Sequence, residues 1–360
     1  MHQKVSISVL LFVSLIAAYA LMPAALEAGD DLEKNWAKIM GPVKTDNSCD
    51  ACHAMEADAW LQTHHFATFK NRHKSGRAKE ILGNLGLGKR MKKPAADNMC
   101  LQCHYTTLID GAKIRVKWGV SCESCHGPAR DWVDIHQRVG GTADGTALKW
   151  GDGKNEPSAQ RAARLGAAAA AGMIHSEMIY EIAANCYGCH TVPNEELVNT
   201  GKHKAGSDFD LVAWSQGEIR HNFVSSSGAP AKPTNRPASK AQLRRLYVVG
   251  AMVDLEFSLR NLAAAQDTAG DYHAAMTTRV ERARSKLQEI LAVVEIPELE
   301  AVMASLAAAV DPGDLDNDKD VTPDQIGAAT RDFVRNYDGT TLGAIDDRIP
   351  KAYRGSAYKE

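Results

Sequence analysis

All eight cysteines of this 360-residue chain fall into one pattern, Cys-x-x-Cys-His, which occurs four times. The four copies are Cys49-Cys52-His53, Cys100-Cys103-His104, Cys122-Cys125-His126 and Cys186-Cys189-His190. Two thiols at this spacing add across the vinyl groups of a haem, and the adjoining imidazole becomes an iron ligand. The sequence therefore predicts four covalently bound haem c groups, each held by two cysteines and one proximal histidine.

Three other uses of paired cysteines compete with haem attachment. Cys-x-x-Cys units occur in zinc ribbons, in thioredoxin-like dithiols and, as an even number of cysteines, in the disulfide scaffolds of secreted proteins. None of these uses requires a histidine directly after the second cysteine in all four copies. Haem attachment is therefore favoured.

The first 28 residues are typical of a secretory signal peptide. Lys4 precedes an apolar run, and small residues follow it, with plausible cleavage after Ala20 or Ala28. Pro23 closes the run, which is short of the ~20 residues that a spanning helix needs. We therefore expect cleavage, a periplasmic mature protein and no stable membrane span after cleavage.

The charge of the chain is nearly balanced, with 42 basic and 44 acidic residues and a net charge of −2. This balance excludes a nucleic-acid binder, because such proteins carry a basic surface. Residues 70–93 depart from it, with nine Lys or Arg against Glu80 alone. This segment is either a solvated loop or a surface that neutralises haem propionates and docks an acidic redox partner.

Composition divides the chain into a signal peptide at 1–28, a tetrahaem cytochrome c domain at 29–225, a Ser- and Pro-rich linker at 226–239 and a helical C-terminal region at 240–360. In the last region, apolar residues at three- and four-residue spacing predict long amphipathic helices, broken at Gly270 and Pro297. Short helices and long loops surround the haem motifs. The predicted fold class is mainly α with extensive loops.

The segment 314–325 spaces its aspartates partly like a calcium loop. Lys319 stands where such a loop has glycine, and Gln325 stands at its twelfth position. We favour an acidic turn, in which Thr322 caps the next helix, over a calcium site.

A second histidine on each iron would give a low-spin haem that changes little on reduction. Seven histidines are candidates for this role: His64, His65, His73, His136, His175, His203 and His221. His64 and His65 are adjacent on a predicted helix and point about 100° apart, so at most one of them meets a given iron.

Two segments, "CHAMEADAWLQTHH" and "GVSCESCHGPARDWVDIH", resemble the tetrahaem cytochrome c-554 family. The resemblance covers roughly residues 46–190 and leaves out the C-terminal third. It implies that His65 ligates the haem of the third motif, opposite His126, and that His136 ligates the haem of the first motif, opposite His53.

The resemblance also implies a weak or missing sixth ligand at the haem on Cys100 and Cys103. The alternative is that His73, His175 or His221 reaches this iron from a distance.

For the fourth haem, His203 in a glycine-flanked loop is favoured over His175. His221 suits a propionate-binding loop equally well.

The favoured function is a periplasmic tetrahaem c-type cytochrome that carries electrons between a donor and an acceptor protein, rather than a catalyst. The alternative is a multihaem oxidoreductase that acts on a small nitrogen or sulfur compound at an open haem iron. A third hypothesis gives the helical C-terminal region a structural role, in which it joins copies of the chain into a homo-oligomer.

Overall fold

The structure, a computed structural model, describes residues 36, 38–41, 48–88, 91–93, 98–138, 156–223, 235–308 and 322–358. The predicted signal peptide at 1–28 lies outside these residues, and so do most of the linker at 226–239 and most of the acidic segment at 314–325. Over the described ranges, no helix is both long enough and apolar enough to cross a membrane.

The region that carries the motifs consists of short helices joined by loops. Its α-helices are α1 (Ala54–Leu61), α2 (His64–Asn71), α3 (Gly76–Asn84), α4 (Leu101–His104), α5 (Cys122–His126), α6 (Val133–His136), α7 (Ser158–Ala170), α8 (Ile179–His190), α9 (Glu195–Asn199) and α10 (Leu211–Ser215). Short 3₁₀ turns lie at Cys49–Ala51, Arg72–Lys74 and Ala129–Asp131. Strands β1 (Thr106–Asp110) and β2 (Lys113–Trp118) form an antiparallel hairpin between α4 and α5.

Polar side chains at the residue just before the first turn explain where several of these short helices begin. Thr63, Ser75, Asn194 and Asp210 cap α2, α3, α9 and α10, and each accepts a hydrogen bond from a backbone amide in the first turn. Such caps satisfy amides that have no partner within the helix.

The C-terminal region contains the predicted long helices. They are α11 (Lys240–Ala263), α12 (Asp271–Leu291), α13 (Pro297–Ala308) and α14 (Pro323–Asn336), followed by a 3₁₀ turn at Gly343–Ile345. Gly270 precedes α12 and Pro297 begins α13, as the sequence predicted. The predicted cap is also present, because Thr322 accepts from the amide of Gln325, whose side chain accepts from the amide of Thr322. Asp324 pairs with Arg260 at 2.5 Å.

The longest helix, α11, lies at the centre of the main hydrophobic core. It packs against α8, α10, α12 and α14, and Val248, Met252 and Leu255 on it are fully buried. Tyr180 and Tyr187 of α8 belong to the same core. The helix that carries the fourth motif therefore packs into one core with the C-terminal helices, although the linker predicted at 226–239 lies between them in sequence. The division into domains stays a prediction.

Two smaller clusters support the other motifs. Leu82, Leu101 and Tyr105 pack beneath the second motif, and Ala129 and Trp132 pack against α7 beside the end of α6. The predicted fold class, mainly α with extensive loops, is confirmed.

Candidate haem sites

Each Cys-x-x-Cys-His motif lies on about one helical turn. The first begins with the 3₁₀ turn Cys49–Ala51 and ends at His53, the residue before α1. The second begins at Cys100, the residue before α4, and continues through that helix. The third forms α5, and the fourth ends α8. Residues at positions i, i+3 and i+4 of a helix share one face. Both thiols and the imidazole of each motif are therefore presented on the same side.

In the described part of the chain, each motif histidine faces a second histidine ring. The ring centres are 6.4 Å apart for His53 and His136, 6.3 Å for His65 and His190, 6.4 Å for His104 and His203, and 6.0 Å for His126 and His221. A metal–imidazole nitrogen bond is about 2 Å long, so two imidazoles on opposite sides of one metal have ring centres about 6 Å apart. Each pair therefore fits one iron between its rings, with two thiols beside it for a porphyrin edge. These residues fit haem c.

Hydrogen bonds fix the orientation of several of these rings. The Nδ1 atoms of His126, His136, His203 and His221 lie 2.8, 2.6, 2.8 and 2.7 Å from the backbone oxygens of Ile174, Val133, Lys204 and Ile219, respectively. A carbonyl oxygen only accepts, so each Nδ1 carries the proton and donates it. This arrangement leaves Nε2 free for a metal, and it is the usual support of a metal-binding imidazole.

Burial keeps five of the paired imidazoles neutral. Desolvation lowers the pKa of His104, His126 and His190 to about 4, and it also lowers the pKa of His65 and His136. A neutral imidazole has the lone pair that a metal requires. At pH 7 these five side chains are in the ligand form.

Thiols of different motifs are in contact. The Cys49 and Cys122 thiols lie close enough to shift each other's pKa, lowering that of Cys49 and raising that of Cys122, and the Cys103 and Cys189 thiols do the same, with Cys103 lowered and Cys189 raised. The helices of the third and fourth motifs, α5 and α8, pack together. The attachment sites therefore follow one another in the order first, third, fourth and second motif.

The pairing of His53 with His136 is the one that the resemblance implied. His65, however, faces His190 and not His126. The Thr68 hydroxyl lies 2.7 Å from the backbone oxygen of His65 and 2.8 Å from that of His104. This contact holds α2 against the second motif. Because Cys103 of the second motif contacts Cys189 of the fourth, α2 places His65 beside the fourth motif.

His203 also lies at another site than the one expected. It was assigned opposite His190, whereas the structure places it opposite His104. The loop that follows α9 is fastened to α3, because the Arg77 guanidinium donates to the backbone oxygen of Lys202, and α3 lies beside the second motif. Because the His203 ring faces the His104 ring across the second motif, the geometry favours a second imidazole there over the open iron that the resemblance implied.

His221, which suited a propionate-binding loop equally well, lies opposite His126. Its loop is held by the C-terminal segment, because the Glu218 amide donates to the Arg354 oxygen at 2.9 Å. No motif spacing marks this histidine in the sequence. Its position depends on contacts between segments that are far apart in the chain.

Three candidate histidines lie outside the four pairs. His64 is 85% exposed, with its Nδ1 2.6 Å from a carboxylate oxygen of Glu218. His175 accepts from the amide of Glu177 at 3.3 Å. His73 lies in the Arg72–Lys74 turn, where desolvation lowers its pKa. Of the adjacent His64 and His65, only the second faces a motif histidine.

The third motif is anchored by a buried carboxylate. Glu123, within α5, accepts from the amides of Met40, Gly41 and Ala129 at 2.9, 2.7 and 2.8 Å. Burial raises the pKa of this carboxyl group, and the three amides compensate for lost hydration. Glu123 thereby holds the segment before the first motif, and the turn that leads to His136, against the third motif.

Comparison with known proteins agrees with this geometry. Residues 48–127 match the family model described as cytochrome c554 and c-prime. Over 108 residues, 28% of this chain, the sequence is 31% identical to cytochrome c-554 of Nitrosomonas europaea. The chain is thus similar to the cytochrome c-554 family of multihaem c-type cytochromes. No solved structure matches the chain.

The match to the cytochrome c-554 family is partial. It spans 44% of the length of the Nitrosomonas relative, and the family model covers the first three motifs and His65. A c-type cytochrome carries covalently bound haem, so this similarity is consistent with the fit of the motif residues to haem c. The fourth motif and all of α11 to α14 lie beyond the range that the family model matches.

Proposed function

We propose that this protein is a periplasmic tetrahaem c-type cytochrome that carries electrons between a donor and an acceptor protein. The observation that carries the proposal is the set of four histidine pairs, each with ring centres 6.0 to 6.4 Å apart and each beside a pair of cysteines. Bound haem iron supplies one-electron oxidation and reduction.

The chain's own residues hold and orient the four groups. The haems would be attached through Cys49 and Cys52, Cys100 and Cys103, Cys122 and Cys125, and Cys186 and Cys189. In the order of these four motifs, the proximal imidazoles are His53, His104, His126 and His190. The imidazoles that face them are, in the same order, His136, His203, His221 and His65. Two imidazoles per site keep the same ligand set in both oxidation states. Electron transfer then needs little rearrangement of the protein.

The contacts between motifs support transfer within the molecule. Cys49 touches Cys122 and Cys103 touches Cys189, so attachment sites of different haems adjoin. A chain of neighbouring sites allows electrons to enter at one end and leave at the other.

The second imidazole at each site favours a carrier over a catalyst. A catalyst of the alternative kind needs an iron with an open position for a nitrogen or sulfur compound. In the part of the chain that the structure describes, His203 stands where that position was expected.

A basic face suits an acidic redox partner. Lys113, Arg115 and Lys117 alternate on the exposed side of β2, and β2 packs beside α2, which leads into the basic segment 70–93. Opposite charges on a partner would speed its encounter with this face. A periplasmic location is proposed from the signal peptide predicted at 1–28.

The haem content of the purified holoprotein tests this proposal. A pyridine haemochrome assay should give four haems per chain, thiol titration should find no free cysteine, and the ferric EPR spectrum should be low-spin. Bound zinc, titratable thiols or fewer than four haems would overturn the tetrahaem assignment.

A further inference from the structure

A serine supports the proximal histidine of the fourth motif. The Ser207 hydroxyl oxygen lies 3.0 Å from Nδ1 of His190, and the Ser207 amide donates to the His190 carbonyl oxygen at 2.8 Å. The hydroxyl also lies 3.4 Å from that carbonyl and donates to it, so the imidazole Nδ1–H donates to the hydroxyl. Phe209 stacks on the His190 ring at 4.4 Å with an interplanar angle of 21°.

The C-terminal helices hold this serine through a buried ion pair. Arg279 of α12 donates from Nη1 to the Ser207 carbonyl at 2.9 Å and from Nε to Asp254 of α11 at 2.6 Å. The side chains of Arg279 and Asp254 are only 4% and 14% exposed. The chain of contacts thus runs from α11 through α12 and the 206–208 loop to His190.

Both parts of this arrangement act on an iron bound by His190. A hydrogen bond accepted from Nδ1–H makes the imidazole a stronger electron donor. Charges buried beside the site are poorly screened, so they affect the two oxidation states unequally. Net charge and hydrogen bonds around the ligands are the means by which a protein adjusts a haem potential.

We propose that Asp254, Arg279 and Ser207 are positioning residues that set the reduction potential of the haem on Cys186 and Cys189. This inference rests on the proposed function and assigns a task to the helices beyond the family match. In this proposal neither Asp254 nor Arg279 touches the haem. Both act on it through Ser207 and through the electrostatic field of their charges.

The two charges predict shifts of opposite sign. Asp254→Asn leaves the Arg279 cation buried without its counter-charge, which disfavours the ferric state and raises the midpoint potential. Arg279→Met leaves the carboxylate, which favours the ferric state and lowers the potential. Ser207→Ala removes the acceptor of the imidazole proton and raises the potential.

Potentiometric titration of the full-length holoprotein, followed by absorption and EPR, tests these signs. We expect one of four midpoints to move by at least a tenfold change in the ratio of reduced to oxidised haem, about 59 mV for one electron. Arg282→Met is the matched control, because it removes a cation from the same helix at a side chain that is 57% exposed. The control should leave all four midpoints within a fraction of that shift.

The inference is overturned if Asp254→Asn and Arg279→Met move the midpoint in the same direction, or if neither exceeds the control. Should Arg279→Met fail to fold, Arg279→Gln replaces it, because glutamine also removes the cation; a midpoint below that of the wild type supports the inference, and an unchanged or higher one rejects it. The haem count of the unmutated protein is measured separately. A haem count below four therefore contradicts the proposed function, whereas the signs of the midpoint shifts test the effect of Asp254, Arg279 and Ser207 on the reduction potential.

Discussion

The ring of His53 lies 6.4 Å from the ring of His136, and their planes are inclined by only 20°. The rings of His126 and His221 are inclined by 87°. Trp132 packs edge-on against His136 at 5.0 Å and limits its rotation. The two sites therefore present nearly parallel and nearly perpendicular imidazoles, and we expect them to contribute low-spin EPR signals of different anisotropy.

Replacing His136 by alanine should open the site on Cys49 and Cys52, because it removes one of the two imidazoles. The expected result is one high-spin haem of four, with loss of the low-spin signal that belongs to parallel imidazoles. His175→Ala is the control, since His175 lies outside the four pairs. A wild-type spectrum for His136→Ala would contradict the pairing.

Two adjacent histidines should behave differently on substitution. His65→Ala should convert the haem on Cys186 and Cys189 to high-spin, because His65 faces His190. His64→Ala should leave the spectrum unchanged, since it removes only an exposed contact to Glu218. If His65→Ala instead opens the haem on Cys122 and Cys125, the pairing implied by the family resemblance holds and the one described above does not.

Carbon monoxide probes the second site. The reduced wild-type protein should show no spectral shift with carbon monoxide, because His203 and His104 would together hold both sides of an iron bound at this motif. His203→Ala should gain a shift equivalent to one haem. A shift worth one haem in the wild type would restore the open site expected from the family resemblance.

Gly119 should tolerate no side chain. A Cβ atom there would lie 2.2 Å from the backbone oxygen of His65, so Gly119→Ala must displace α2 and should lower the free energy of unfolding by about 1–3 kcal/mol. Gly166→Ala makes the same change in α7, where nothing lies within 4 Å, and should raise it by roughly 0.5–1 kcal/mol. Urea denaturation of the holoproteins, followed by circular dichroism, measures both. Equal effects would refute the close approach of Gly119 to α2.

The basic face should distinguish small redox reagents by charge. Changing Lys113, Arg115 and Lys117 together to glutamine should slow oxidation by hexacyanoferrate and speed reaction with hexaammineruthenium, with both differences fading at high salt. Stopped-flow absorbance measures the rates. The control changes three exposed cations of the C-terminal region, Lys240, Arg282 and Lys351, to glutamine. Equal effects of the two triple variants would show that net charge alone is responsible.

The sequence predicted what depends on local pattern. The four motifs, the mainly helical fold, the breaks at Gly270 and Pro297 and the Thr322 cap all follow from residues within one or two turns of each other. The structure contains these breaks, this cap and this fold class.

The choice of opposite ligands depends on packing between distant segments. His203 reaches the second site because Arg77 fastens its loop to α3, and His221 reaches the third because the C-terminal segment holds the Glu218 amide. Neither contact has a signature in residue spacing, since each joins segments more than a hundred residues apart. The link from Asp254 to His190 also lacks such a signature, because its contacts join segments 17, 25 and 72 residues apart.

Every histidine pair has one member within the family-matched segment 48–127 and the other beyond it. A nascent chain that emerges from its N-terminus would thus present three motifs before any of their opposite imidazoles exists. For those three motifs we expect covalent attachment before residues 136, 203 and 221 arrive to complete the pairs, whereas the fourth motif emerges after its partner His65. Forming the four histidine pairs thus closes four long loops of the chain. A chain cut after residue 127 would lack one imidazole of every pair.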